Sequence, residues 1–210
     1  PNILAGYLIM MFFITVSFVR RTGQLSRSAN GLWFIVLTTL AIALILTKSY
    51  GAYISLVIAL ITLFFMSYSD IKKRKLIAVF CLIAVTLGIV FIISSKWDRL
   101  MNLDNPHNPI TQRINYWRIS IAAIKDHPLS GIGPGNFQEV FLRYKVGWSI
   151  DTRYSHNVFL QTWLETGLVG LIAIGLLIIA FIKRSLLKFR YIFLAGLAFV
   201  LHNLVDITYF

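Results

Sequence analysis

Six long apolar stretches alternate with polar connections along the chain, and this pattern predicts a bundle of transmembrane helices. A helix needs about 17–25 mostly apolar residues to cross the hydrocarbon core of a bilayer. The predicted spans cover residues 3–19, 32–46, 52–68, 76–93, 159–182 and 191–208. The fold class is therefore predicted to be all-α, a polytopic transmembrane helix bundle with four spans before and two spans after a longer segment of mixed polarity.

The composition agrees with a membrane protein. Of the 210 residues, 58% are hydrophobic and 13% are charged, whereas a soluble domain carries about 25% charged residues. The net charge is +12, a balance that also occurs in nucleic-acid-binding domains. The positions of the charges along the chain distinguish these two explanations.

The basic residues are concentrated in alternate connections. The connections after the first, third and fifth predicted spans hold Arg20, Arg21, Arg27, Lys72, Lys73, Arg74, Lys75, Lys183, Arg184, Lys188 and Arg190. The connection between the second and third spans holds only Lys48. Because short cytoplasmic loops retain Lys and Arg, the basic connections are predicted to be cytoplasmic, and no nucleic-acid partner is expected.

This orientation predicts three parts. Residues 1–94 hold spans one to four, residues 95–156 form an extracytoplasmic loop domain, and residues 157–210 hold spans five and six. The chain begins at Pro1 within an apolar run that lacks the features of a signal peptide. It is therefore interpreted as a fragment of a longer protein.

The loop domain is too short for an independent core and too apolar for disorder, so we expect a short helical cap. A helix is predicted over 111–126, with Thr111 as its N-cap. Its apolar residues recur at spacings of three and four: Ile114, Trp117, Ile121 and Ile124. Residues 130–135 predict a turn, and residues 136–145 a second short helix. Ser155 is the predicted N-cap of the fifth span.

His156 follows Ser155, at the predicted outer end of the fifth span. A neutral imidazole accepts a proton near neutral pH, which makes this residue a candidate general base. Its position alone equally allows a histidine that only lies among the lipid headgroups.

Other polar residues also allow two interpretations. Arg113, Arg118 and Arg153 of the outer segment could hold a phosphate bidentately, or they could bind anionic headgroups or neighbouring carboxylates. Lys48, at the outer membrane boundary, could extend to the interface or line a cavity.

Glu165, His202 and Asp206 lie inside predicted spans, where charge is costly unless it is paired or faces a polar cavity. His202 and Asp206 are four residues apart and are predicted to share a helix face. These side chains could pair within the bundle, line a catalytic cavity or relay protons as in a transporter. No metal site or cofactor is predicted, because no His, Cys, Asp or Glu cluster has the spacing of metal ligands.

Three ordered pieces of the chain resemble the O-antigen ligase and polymerase family, also called the lipid-linked oligosaccharide polymerase/ligase superfamily. They are Arg113 with Trp117 and the Ala-Ala-Ile of 122–124; the 127–137 stretch, His-Pro-Leu-Ser-Gly-Ile-Gly-Pro-Gly-Asn-Phe; and Ser-His-Asn-Val-Phe-Leu-Gln at 155–161 with Glu-Thr-Gly-Leu-Val-Gly at 165–170. The second and third pieces together are specific to the family. Ser49 and Gly51 also fit its pattern, but Tyr50 stands where many members have arginine.

The resemblance implies a GT-C-like enzyme of the bacterial inner membrane. Such enzymes transfer a glycan from undecaprenyl diphosphate to an acceptor hydroxyl, on lipid A-core in ligases or on another glycan in polymerases, without a metal. It implies that His156 is the base and that Arg113 binds the diphosphate. The further substrate-binding candidates are Lys48, Arg118, Arg153, Asn157, Glu165 and Asp206, with Lys48 a possible replacement for the arginine absent at Tyr50.

Two other classes of function remain open at this stage. A transporter or permease would use Glu165, His202 and Asp206 for proton relay, with its site near the bilayer midplane. A membrane scaffold would require none of the candidate side chains. The motifs also leave the choice between ligase and polymerase open.

Overall fold

The computed structural model describes residues 1–21, 27–67, 102–103, 105, 107–145 and 149–208, and these residues form helices joined by turns, without strands. The helices are α1 (Asn2–Arg21), α2 (Arg27–Leu46), α3 (Tyr50–Ser67), α4 (Pro109–Asp126), α5 (Phe137–Tyr144), α6 (Val158–Ser185) and α7 (Arg190–His202). The fourth predicted span, 76–93, and the basic residues 72–75 lie outside the described residues.

The helices confirm an all-α membrane protein. The segments Asn2–Arg20, Tyr50–Ser67 and Val158–Ser185 are long and apolar enough to cross a bilayer, and Gly31–Leu46 and Arg190–His202 are shorter apolar helices. The first, second, third and fifth predicted spans therefore fall on observed helices. The boundaries of the predicted loop domain stay a prediction.

The sixth predicted span, 191–208, is wrong in its last part, because α7 ends at His202. The Asn203 side chain donates to Phe199 O at 2.8 Å and accepts from the Thr208 N–H at 2.7 Å. An asparagine that bonds to the backbone in this way competes with continued helix. Asp206 consequently lies outside the helix, and it does not share a helix face with His202 as predicted.

The described residues form two compact units, of which the first lies within 1–78, 180–203 and 208–210. In this unit α1 packs against α2 and α7, and α3 packs against α7. Alanines in the core of a helix bundle allow close approach of the backbones. The buried core residues are Ala5, Ile9, Phe13, Leu44, Ala52, Ala59, Tyr191, Phe193, Leu194, Ala195 and Ala198.

The second unit lies within 79–179 and 204–207. Its core is formed by Tyr116, Ile119, Ala123, Ile124, Phe137, Phe141 and Leu164. The two predicted helices of the outer segment are confirmed as α4 and α5. The spacing that predicted α4 marks its buried face only in part, since Ile124 is buried but Ile114 and Ile121 are exposed. The face with Tyr116, Ile119 and Ala123 follows the same spacing and packs inward.

Both predicted N-caps are wrong by a few residues. Asn108 caps α4 by accepting from the N–H groups of Ile110 and Thr111 at 2.8 and 3.3 Å. Pro109 occupies the first helical position. A backbone N–H at this position would have no partner within the helix, so its absence in proline costs nothing there. Asn157 rather than Ser155 caps α6, with its Oδ1 3.0 Å from the N–H groups of Phe159 and Leu160.

The predicted glycine turn is confirmed, and it bonds to a kink in α6. Gly167 has φ 69° and ψ −168°, which interrupts the helical hydrogen bonds around it. The turn replaces them: Ile132 N–H donates to Leu164 O at 2.8 Å and Gly133 N–H to Glu165 O at 3.0 Å. In return, Leu168 N–H donates to Pro128 O at 3.1 Å. The kink therefore leaves these backbone groups paired, as an apolar environment requires.

We expect Gly167→Ala to destabilise the protein strongly. A Cβ at this position would overlap the carbonyl group of Leu129, and a backbone with φ 69° and ψ −168° is essentially restricted to glycine and costs other residues about 1–3 kcal/mol. The matched control is Gly175→Ala in the same helix, where a Cβ meets nothing within 4 Å. Thermal unfolding of the purified complete protein should show a clearly lower melting temperature for Gly167→Ala only. Equal melting temperatures would contradict this account of the kink.

Candidate functional site

Asp206 is a buried carboxylate shared by two candidate residues of the second unit. Its Oδ2 accepts from Arg113 Nη2 at 3.3 Å, and its Oδ1 lies 3.2 Å from His156 Nδ1. The Asp206 side chain is only 6% exposed, whereas Arg113 and His156 are each 28% exposed. The cluster thus has a buried anion and two partly accessible side chains that can meet a ligand.

The electrostatics of this cluster favour an ionised Asp206. Burial by itself would raise the pKa of the Asp206 carboxyl, but the hydrogen bond and charge of His156, the Ile207 N–H and the Arg113 guanidinium together hold this pKa below its usual value. An ionised carboxylate only accepts hydrogen bonds. When the His156 imidazole is in its neutral form, its hydrogen therefore belongs on Nδ1, which leaves Nε2 as a proton acceptor.

The His156 ring is held on both sides. It stacks on Tyr116, with ring centroids 5.4 Å apart and planes inclined by 25°. Its Nε2 lies 3.4 Å from the Thr152 hydroxyl, which also has Tyr154 O within 3.2 Å. Since a threonine hydroxyl has a single hydrogen to donate, Nε2 remains able to accept a hydrogen from an incoming group.

His156 also has an unusual backbone, with φ 55°. This left-handed conformation costs a residue other than glycine about 1–2 kcal/mol, so the surrounding contacts must hold it. Asn157 supplies two of them, because it caps α6 and its Nδ2 donates to Leu204 O at 2.9 Å. Asn157 therefore links the start of α6 to the segment that carries Asp206.

Arg113 is anchored by several acceptors. Besides Asp206, its Nε donates to Val205 O at 2.7 Å and its Nη1 to Pro109 O at 3.2 Å. Arginine has five N–H donors in a fixed planar arrangement, so two of them are not engaged by these three acceptors. Arg113 can thus retain its position on the protein while it contacts an anionic ligand.

Glu165 is buried and bonded to the protein. Its Oε1 accepts from Gly135 N–H at 3.0 Å and from Gln161 Nε2 at 2.7 Å. The other end of the Gln161 amide accepts from Ser155 N–H at 2.7 Å. These bonds connect the glycine turn, through Glu165 and Gln161, to the residue before His156. The substrate-binding role assigned to Glu165 stays a prediction.

The remaining predicted residues are three exposed cations. Arg118 and Arg153 are exposed, and neither forms an ion pair with a residue that the structure describes. Lys48 belongs to the first unit, where it is exposed in the turn between α2 and α3 with φ 54°. In the described ranges, no three His, Cys, Asp or Glu side chains lie close enough to hold a metal ion.

Sequence reasoning missed Tyr116, Thr152 and Gln161. Tyr116 could have been identified from the sequence, since it lies three residues after Arg113 and therefore on a neighbouring part of the same helix surface. Gln161 belongs to the family motif at 155–161, which could have indicated it, whereas Thr152 lies in an irregular segment without a pattern that indicates a site. Their contacts with His156 and Ser155 depend on the folded loop.

Comparisons with known proteins indicate a relationship across most of the chain. A family model described as O-antigen ligase matches residues 33–175. An uncharacterized protein from Haemophilus influenzae is 25% identical over 197 residues, which cover 85% of this chain and 48% of that relative. The chain thus spans about half the length of the curated relative that it matches.

We expect Asp206→Asn to destabilise the protein by about 1–3 kcal/mol at neutral pH, the usual range for a hydrogen bond to a charged group. An unfolded aspartate titrates near pH 4, and the folded pKa is lower. The stabilisation is therefore complete above about pH 4 and is lost as the pH falls through the folded pKa. Thermal unfolding at pH 7, 5, 4 and 3 should show the difference between wild type and variant shrinking at the acid end.

The control for this experiment is Asp151→Asn. Asp151 pairs with Lys145 at 3.2 Å but is 62% exposed, and exposed pairs contribute little. An Asp206→Asn protein as stable as wild type at pH 7 would contradict the assigned role of the carboxylate.

Glu165 is expected to tolerate glutamine better than methionine. Glutamine keeps an oxygen for the Gly135 and Gln161 donors, whereas methionine leaves both without an acceptor, and the buried Gln161 donor then costs about 1–3 kcal/mol. Thermal unfolding should therefore rank wild type and Glu165→Gln close together and Glu165→Met well below them. An equal fall in melting temperature for the two variants would mean that the charge, and not the acceptor oxygen, is required.

Proposed function

Because the chain belongs to the O-antigen ligase family, we propose that it forms part of a membrane glycosyltransferase of the ligase/polymerase type. The donor is a glycan linked to undecaprenyl diphosphate. The acceptor is a hydroxyl group of a second glycan or of a lipid A-core. The reaction takes place at the outer face of the bacterial inner membrane, on the side of the sparsely charged connections.

The observation that carries this proposal is the cluster of Arg113, Asp206 and His156. It combines a cation with free N–H donors, a buried carboxylate, and an imidazole whose Nε2 can accept a proton. Glycosyl transfer from a lipid diphosphate needs two of these functions directly. A base must take the proton of the attacking hydroxyl, and positive charge must stabilise the diphosphate as it leaves.

In the proposed step, the acceptor hydroxyl loses its proton to His156 Nε2 while its oxygen forms a bond to the anomeric carbon. The bond between that carbon and the diphosphate oxygen breaks, and the lipid diphosphate leaves with the electron pair. Arg113 binds the leaving diphosphate. Asp206 positions His156 and stabilises the imidazolium that results, a role that carboxylates also have in catalytic triads.

Two further arginines of the second unit complete the proposed donor site. Arg118 and Arg153 are exposed cations that are suited to the phosphates, and Asn157 holds the segment next to the base. The substrate-binding role of Lys48 stays a prediction. Because arginine stabilises the negative charge on the leaving group, the proposed step runs without a metal. The choice between a polymerase and a ligase depends on the acceptor and stays open.

A transporter is the weaker proposal. The transporter interpretation of the sequence depends on Glu165, His202 and Asp206 as proton carriers inside membrane spans. Asp206 instead follows the end of α7 and is paired with Arg113, while Glu165 is bonded to the glycine turn. The residues that suggested proton relay thus have other described partners.

We expect His156→Ala to abolish most glycan transfer, because a general base typically contributes about 10²–10⁴ in rate. The complete gene is expressed in cells that lack it, and surface glycans and lipid-linked precursors are compared on gels. Wild type should restore long glycan, and the variant should accumulate precursor at an equal protein level. The control is His107→Ala, whose exposed side chain lies outside the cluster.

Normal glycan from the His156→Ala cells would overturn the base assignment. No effect on any glycan from either the wild-type gene or its variant would overturn the proposed glycosyltransferase and favour the transporter, which predicts a gradient-dependent uptake instead.

A further inference from the structure

The first unit contains a second polar site, at the ends of three helices. A cavity of about 440 Å³ lies between the end of α1, the end of α3 and the start of α7. Its lining combines two arginines with apolar and aromatic side chains: Arg20, Leu60, Leu63, Phe64, Ser67, Arg190 and Tyr191. None of these residues belongs to the cluster around Asp206.

The polar and apolar residues of the lining lie at different depths of the predicted membrane spans. Arg20 and Ser67 are the last residues of two of the three described helix segments that can span a bilayer, and Arg190 is the first residue of α7. All three therefore lie at the level of the lipid headgroups. Leu60 and Phe64 precede Ser67 on α3 by seven and three residues, which places them about 10 and 5 Å deeper at 1.5 Å per residue. The cavity thus has a cationic mouth and an apolar floor.

The charges of the mouth fit an anion. Neither Arg20 nor Arg190 forms an ion pair with a carboxylate of the described residues. The Arg190 guanidinium lies 5.1 Å from the centre of the Tyr191 ring, a contact with its planar face that leaves the N–H edges available. Guanidinium edges bind phosphate oxygens in bidentate fashion.

We propose that this cavity binds one anionic phospholipid from the surrounding membrane. The headgroup phosphate binds Arg20 and Arg190, Ser67 adds a hydroxyl, and one acyl chain lies against Leu60, Leu63 and Phe64. The charge pattern of the connections predicts that this end of the bundle is cytoplasmic, where anionic lipids attract basic residues and basic pockets between helices bind lipid headgroups. The proposal does not depend on the proposed glycosyl transfer.

The test uses the complete protein in detergent and native mass spectrometry, with phosphatidylglycerol, phosphatidylethanolamine or inorganic phosphate added separately. Wild type should retain phosphatidylglycerol in preference to the other two. The double variant Arg20→Gln, Arg190→Gln should bind it about 30-fold more weakly, the effect expected for two arginines at a membrane surface. The matched control is Lys183→Gln, which removes an exposed charge outside the cavity and should bind like wild type.

A second variant tests the apolar floor without changing charge. Leu63→Trp fills the cavity, so it should reduce retention of phosphatidylglycerol while both arginines remain, and it also serves if the double arginine variant does not fold. Equal retention by wild type and both variants would overturn the proposal. Retention of inorganic phosphate as strong as that of the lipid would also overturn it, since the acyl chain would then contribute nothing.

Discussion

The arrangement of the second unit depends on the need to compensate one buried charge. An isolated carboxylate in a weakly polar environment is too costly to remain ionised. Asp206 is nearly inaccessible, and it remains ionised because Arg113 and His156 both contact it. These partners come from helix α4 and from the loop before α6, which are separated from Asp206 by 93 and 50 residues. One carboxylate thereby fixes three distant segments and the tautomer of the imidazole.

A second constraint acts on the backbone. The break in α6 at Gly167 would leave carbonyl and N–H groups without partners, and the glycine turn at 130–135 supplies those partners. Gly135 of this turn also donates to the Glu165 carboxylate. The Gln161 side chain connects that carboxylate to the Ser155 N–H by two further hydrogen bonds. The kink, the turn and the loop that carries His156 therefore form a single hydrogen-bonded structure, which explains why motifs so far apart in the chain occur together.

These two constraints also make the proposed chemistry physically reasonable. A base must be held in one orientation to act at a fixed carbon atom, and His156 is held by its contacts with Asp206 and Tyr116 and by the bonds of the adjacent Asn157. The cation that binds the leaving diphosphate must itself stay in place on the protein. Arg113 has three protein acceptors and still has two N–H donors for a phosphate.

The amino-acid sequence alone determined the features that arise from local composition. The length of the apolar runs predicted five of the described helices, because crossing a bilayer requires a run of fixed length. Glycine and proline at 130–135 predicted the turn, since these residues set the backbone locally. Family motifs marked Arg113 and His156 before their contacts were known.

Tertiary structure alone decided which residues meet. Asp206 was expected on a helix face beside His202, but α7 ends at His202, and Asp206 contacts Arg113 and His156. The bonds of Glu165 to the glycine turn and to Gln161 were likewise not indicated by the sequence. Contacts of this kind join residues that are far apart along the chain or outside any repeating pattern. Periodicity and hydropathy report on neighbours within one element, so they contain no information on such pairings.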